Sequence, residues 1–318
     1  MPPDPFLHER SDFADLVRIV ADERGLLPAL VEKDYWIMHC LYGLATQGFT
    51  FELKGGTSLS KGFGIIQRFS EDIDIRIDPV CAPFEVFTGA NQTKKARHTE
   101  SRQQFYDWFA DTIQIKGIGN VERDLAFDDE KFRSGGIRLH YESTFDNPAG
   151  PKEGILLETG FDDTQPSSRR TISSWAYDKA SDSSIAMLNN RAIDVPCYHP
   201  GYTFVEKLQT VSTKFRQQQD KGELPQNFMR HYYDIGQLLQ HPDVADFIGT
   251  AEYQERKKIR FRIGDNLNIS ENEAFLLSDP TTRDQYALAY QATASLYFND
   301  QTPFDTILDR IQSRIEEL

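Results

Sequence analysis

Polar and apolar residues alternate strictly from Asp72 to Ile77, in the order Asp-Ile-Asp-Ile-Arg-Ile, which is the period of a half-buried strand. Asp72, Asp74 and Arg76 therefore share one face of that strand. A short apolar run from Phe51 precedes it and breaks at Gly55-Gly56, and a helix-compatible segment runs between them from about Thr57 to Gln67. Further strands are expected at 119–127, 136–143, 153–161 and Ala192–Cys197. Polar turns such as Asp146-Asn-Pro-Ala-Gly-Pro and His199-Pro-Gly separate them. Residues 162–190, rich in Ser, Asp and Arg, read as loop with a short strand around Ile172–Ala176.

Helical spacing dominates elsewhere. Residues 11–24 carry a capping serine and apolar positions at Phe13, Leu16, Ile19 and Val20, and a second helix follows from Pro28 to about Leu44. Within that helix Glu32, Lys33 and Asp34 read as a solvated face. Residues 92–115 place Phe105, Trp108, Phe109 and Ile113 on one side, and Lys94, Lys95, Arg97, His98 and Arg102 make the first half basic. From Tyr202 every segment is helical in period: 202–218, 226–240, 251–261, 283–297 and 303–316. The expected fold is α+β, a mixed sheet flanked by helices in a domain of residues 1–200, followed by a helical domain of residues 201–318.

Composition changes this picture little. Of 318 residues, 39% are hydrophobic and 26% charged, which is ordinary for a globular protein. No apolar run reaches the roughly 18–20 residues of a membrane span, and the N-terminus lacks a signal-peptide layout, so a cytoplasmic protein without membrane contact is expected. A net charge of −14 argues against broad nonspecific nucleic-acid binding, which depends on neutralising phosphates. It leaves room for a local basic face. Cys40, Cys81 and Cys197 have no metal-ligand spacing, and the seven histidines form no HExxH pattern.

The chemistry concentrates around the alternating strand. Two carboxylates two residues apart on a strand stand roughly 6–7 Å apart at the backbone, within reach of one cation. Oxygen-only ligation suits Mg²⁺ or Mn²⁺ rather than Zn²⁺. Gly55-Gly56 would let backbone amides approach a phosphate, with a helix N-terminus behind them. A Walker-type loop is excluded, because Lys61 follows Ser60 and precedes Gly62. A third carboxylate in an apolar strand is offered by Glu158 and, in rivalry, by Asp194. Lys207 is either a surface lysine or a phosphate contact. Arg230 and Asp234, four apart, are either an intrahelical ion pair or part of a site. The basic run Arg256–Arg262 and the basic helix 94–102 are solvated faces, or RNA contacts if the acceptor is RNA.

Gly-Gly-Thr-Ser-Leu-Ser-Lys followed by Arg-Phe-Ser-Glu-Asp-Ile-Asp resembles the first motif of the AbiEii/AbiGii-type nucleotidyltransferase toxins, within the DNA polymerase β-like superfamily. Glu-Lys-Asp-Tyr-Trp at 32–36, Glu-Lys-Leu at 206–208 with Lys214 and Arg216 downstream, and Arg-His-Tyr-Tyr-Asp at 230–234 extend the resemblance. It implies a nucleotidyltransferase-like N-terminal half that attaches NMP from an NTP to an RNA, such as tRNA, or to a protein acceptor, in a toxin of a toxin–antitoxin or phage-defence system with a cognate antitoxin. It also implies site roles: Asp72, Asp74 and Glu158 as Mg²⁺ ligands and, with Lys207 and Asp234, as catalytic residues. Gly55, Gly56, Thr57, Ser58, Lys61, Arg68, Lys207 and Arg230 would surround the nucleotide. Glu158 is favoured over Asp194 on the resemblance. A kinase of the same fold and a non-catalytic nucleotide-binding module are the rival functions.

Overall fold

The computed structural model describes residues 4–89, 91–92, 95–145, 153–222, 224, 228–298 and 301–318. Lys94 and the turn expected at Asp146–Pro151 lie outside the described residues. The chain divides into two units, Met1–Phe63 with Ser70–Tyr198, and Gly64–Phe69 with His199–Leu318.

The first unit opens with α1 (Phe13–Arg24) and α2 (Pro28–Thr46), then β1 (Thr50–Lys54) and a single helical turn, α3 (Gly55–Thr57). A wide π-type turn, Ser58–Gly62, leads on, and β2 (Asp72–Asp78), α4 (Ala96–Thr112), β3 (Ile118–Asp124), β4 (Ser134–Tyr141) and β5 (Ile155–Gly160) come next. The unit closes with β6 (Ser167–Ile172), α5 (Trp175–Asp182) and β7 (Ala192–Tyr198). The strands form one sheet in the order β3-β4-β5-β2-β1-β7-β6. It is mixed: β2 runs parallel to β5 and β1 to β7, whereas β1 and β2 are antiparallel. Alternation along β2 has the expected result, with Ile73, Ile75 and Ile77 fully buried and Asp72, Asp74, Arg76 and Asp78 half-buried on the opposite face.

Three local expectations are corrected. The helix expected from Thr57 to Gln67 ends at Gly62, because Gly64 adopts φ +66° and residues 67–69 are extended. Residues 162–190 are loop only in part: the short strand expected around Ile172–Ala176 lies earlier, as β6, an edge strand whose Arg169, Arg170 and Thr171 are exposed, so it lacks the apolar alternation that marks a strand. α5 follows, started by Ser174, whose Oγ accepts the Tyr177 N–H at 3.1 Å. Finally, Glu32, Lys33 and Asp34 are buried rather than solvated, since α2 is enclosed almost all round. Glu32 accepts hydrogen bonds from the Ser143 hydroxyl (2.8 Å) and the Thr144 N–H (2.9 Å).

The second unit contains α6 (Pro200–Lys221), α7 (Arg230–Leu238), α8 (Pro242–Phe247), α9 (Ala251–Arg260), α10 (Glu273–Leu276), α11 (Pro280–Gln291) and α12 (Phe304–Gln312). α6 starts on a proline and stops at Gly222 in the left-handed region, and it buries Phe204, Val205, Leu208 and Val211. Tyr232 packs edge-on against Phe228, Tyr286 and Phe304. The strap Gly64–Phe69 is held within this unit. The Phe69 N–H donates to the Leu296 carbonyl (2.7 Å), the Phe298 N–H to the Gln67 carbonyl (3.0 Å) and the Gln67 N–H to the Tyr233 hydroxyl (3.0 Å).

Both basic stretches are partly engaged, with Lys95 and Arg97 exposed in the first. Arg102 is buried and donates to the carbonyls of Phe87, Gln92 and Lys131, and His98 is also buried. In the other run Arg256 and Arg260 turn to Glu206, and Lys257 donates to the Leu318 carbonyl, leaving Lys258 and Arg262 exposed. Among the described residues no helix is long and apolar enough to cross a membrane.

Candidate active site

The site is built from the end of β1 outward. Gly55 takes φ +67°, a region that costs an L-residue roughly 1–2 kcal/mol. A Cβ there would overlap Asp74 Oδ2, so the glycine admits the carboxylate as well as the turn. The Thr57 hydroxyl donates to the Asp72 carbonyl at 2.5 Å and is buried with Ser58, so it ties the turn to the start of β2. Of the turn residues expected near a nucleotide, Thr57 commits its hydroxyl to that backbone contact.

The acids are assembled by register. In the parallel β2–β5 pair Asp72 faces Leu156, Asp74 faces Glu158 and Arg76 faces Gly160. Neighbouring strands lie about 4.8 Å apart and register partners project on the same side, so Glu158 stands next to Asp74. Across β1, Lys54 faces Asp74 from the other side. Asp194 is on β7, which β1 separates from β2, and it is exposed at φ +55°. Among the described residues, no three Asp, Glu, His or Cys side chains already converge as a ligand group. Asp72, Asp74 and Glu158 share a face, and their donor atoms are all carboxylate oxygens, a set that fits Mg²⁺ or Mn²⁺.

Lys61 lies elsewhere. Its ammonium is ion-paired with buried Asp34 and sits 4.5 Å from the centre of the Trp175 indole. The second Asp34 oxygen accepts the Trp175 backbone N–H at 2.9 Å. Burial pushes the Asp34 carboxyl up, against the pull of Lys61 and that N–H. Lys61 thus fastens the turn after Gly55 to α2 and α5. Asp34 is the residue that sequence reasoning missed; its signal was a charged triplet inside a helix with no polar face.

In the second unit Asp234 is fully buried and clasped by two cations. Arg68 forks it, Nε to Oδ1 and Nη2 to Oδ2, both at 2.7 Å, while Nη1 donates to the Phe69 carbonyl. Lys207 Nζ lies 3.0 Å from Oδ2 and 3.4 Å from His231 Nδ1. The ion pair between Arg230 and Asp234 allowed by their spacing is not formed, because Arg68 and Lys207 occupy both carboxylate oxygens. Burial alone would raise the Asp234 carboxyl; Arg68 and Lys207 outweigh it and hold the group at about 2. Burial lowers the Lys207 ammonium, with Asp234 opposing and Arg68 and Arg230 assisting. Lys214 is lowered by burial and then by Arg230 and Lys207, so positive charge gathers here. Arg68, only 2% exposed, anchors the strap through Asp234.

Residues 39–310 match the family described as Nucleotidyl transferase AbiEii toxin, Type IV TA system. The chain belongs to that family. Among solved structures it is similar to an antigenic nucleotidyltransferase-like protein from Paracoccidioides brasiliensis, at 12% identity and a TM-score of 0.33, over 73% of this chain and 94% of that one. No curated protein matches it. The AbiEii match contains Gly55, Asp72, Asp74, Glu158, Lys207 and Asp234, and it begins downstream of Asp34.

The Gly55 turn gives this AbiEii-family chain a direct test. Gly25 is the control: it has a similar φ of +65° and nothing within 4 Å of an added Cβ. Gly25→Ala should lose only the backbone term of about 1 kcal/mol, or about 2–4 °C of Tm. Gly55→Ala should lose more Tm and, by displacing Asp74, abolish Mn²⁺ binding, read by thermal melts and metal titration. Equal behaviour of the two variants would leave Gly55 as an ordinary turn.

Proposed function

We propose that this protein is a Mg²⁺-dependent nucleotidyltransferase, the toxin of a toxin–antitoxin pair, which transfers NMP from an NTP to a hydroxyl of an RNA or protein acceptor in the cytoplasm. The observation that carries the reading is the β2–β5 register, with Glu158 beside Asp74 and Asp72 one alternation away, next to a turn that needs glycine.

Asp72, Asp74 and Glu158 are the residues that would hold the divalent ion. When bound, it would neutralise charge developing on the attacking and leaving oxygens. The acceptor oxygen bonds to the α-phosphorus, the bond from that phosphorus to the bridging oxygen breaks, and pyrophosphate leaves. Glu158 orients the acceptor hydroxyl and takes its proton. The Gly55-Gly56 backbone is suited to close approach of phosphate oxygens. Lys207 and Arg230 are the proposed cationic contacts for phosphate, and Asp234 with Arg68 positions the lysine. A cognate antitoxin is the expected protein partner.

The test is incubation with each NTP, labelled in turn at the α- and γ-phosphate, with Mg²⁺ and total RNA or total protein. Transfer of α-label with release of pyrophosphate is the expected outcome, and chelation by EDTA should abolish it. Transfer of γ-label would mean a kinase. Binding of NTP with no pyrophosphate released on any acceptor would mean a regulatory module.

A further inference from the structure

Arg76 is the one basic residue among the polar positions of β2, and it lies two residues beyond Asp74 on the same face. An arginine side chain spans the roughly 6–7 Å between such positions, and its planar fork matches the two oxygens of a carboxylate. Left alone, it would occupy the oxygens that a divalent cation needs. In the structure it turns away. Its cross-strand neighbour on β1 is Glu52, and Arg76 Nη1 lies 3.4 Å from Glu52 Oε1. Glu52 is itself held in place: only 9% exposed, it accepts through Oε2 the Thr164 hydroxyl at 2.7 Å and the Gln165 amide at 2.9 Å. Both of those residues lie in the segment that leaves β5, the strand of Glu158. Asp78, the carboxylate two residues the other way, already accepts the Val80 N–H at 3.2 Å.

We propose that Glu52 is a positioning residue that draws the Arg76 guanidinium away from Asp74 and so leaves that carboxylate to a divalent cation. This rests on the reading of Asp72, Asp74 and Glu158 as the metal site. Glu52 touches neither metal nor substrate; it acts through Arg76.

The experiment is Mn²⁺ binding to the full chain without nucleotide, followed by the electron paramagnetic resonance of free Mn²⁺. Glu52→Gln should bind about tenfold more weakly, because an arginine beside a carboxylate competes on that scale. Adding Arg76→Gln to it should restore affinity to within about twofold of the parent, and Arg76→Gln alone should match the parent. A residue needed only for sheet stability would not be rescued by removing a second side chain from the same sheet. If Glu52→Gln fails to fold by circular dichroism, Glu52→Leu, which suits a buried strand position, replaces it in both arms. Affinity equal to the parent in the single variant, or a double variant as weak as the single, overturns the proposal. Absence of Mn²⁺ binding in the parent would overturn the metal-site reading itself, before any Glu52 variant is measured.

Discussion

Replacing Asp72 and Asp74 together by Asn should leave a folded protein that binds no Mn²⁺ and uses NTP at least about 10³-fold more slowly, a loss typical of removing electrostatic stabilisation of a transition state. The fold should survive because the core of β2 is made by Ile73, Ile75 and Ile77, which the substitutions do not touch. Asp and Asn are nearly isosteric, and both positions are only half-buried. Tm should therefore change little. Asp194→Asn is the control. It is exposed on β7, apart from β2, and should change neither metal binding nor turnover. Unchanged NTP use in a folded Asp72/Asp74 double variant would remove the basis of the proposed mechanism. Loss of activity in Asp194→Asn with retention in Glu158→Gln would reassign the third acid.

Strand β2 is legible in the sequence because one of its faces is core and the other holds acids, so its period is written out in full. The long helices are legible for the same reason at their own period. β6 is not, because an edge strand with exposed Arg169 and Arg170 has no buried face to advertise. The strap Gly64–Phe69 is not legible either. It is extended through pairing with residues 296–298, a partner so distant in sequence that no local window contains it.

The site divides along the same line. Asp72 and Asp74 share a face by local geometry alone. That Glu158 rather than Asp194 lies beside Asp74 depends on which strand pairs with β2 and at what register. The fate of Arg68 is the extreme case: it sits within the motif that carries the family resemblance, yet it forks Asp234 across 166 residues of sequence. Asp34 was hidden differently. Its partners Lys61 and Trp175 lie in other elements, and only the absence of a polar face on α2 hinted at burial.

Asp234→Ala should be among the most destabilising single substitutions in the helical unit. Arg68 is 2% exposed and the Lys207 side chain 12%, so removing their shared carboxylate leaves buried cations without a counter-charge. Breaking a buried pair in this way costs about 3–5 kcal/mol. Asp234→Asn keeps the shape but not the charge, and its loss should approach that of Ala. Lys207→Met should cost less, because the Arg68 fork still neutralises Asp234 and because burial already disfavours the lysine charge. The pH dependence separates this account from a packing defect. Asp234 is held at about 2 in the folded chain, below the ordinary 3.8, so its stabilisation is full above pH 4 and is lost as pH falls from about 4 towards 2. Integrated over that window the loss is about 2 kcal/mol. The parent should therefore lose stability more steeply than Asp234→Asn between those pH values, by up to one proton, measured by urea unfolding at each pH. Parallel pH profiles for the two proteins, or a variant as stable as the parent at pH 7, would show that the Arg68–Asp234–Lys207 cluster does not hold the strap.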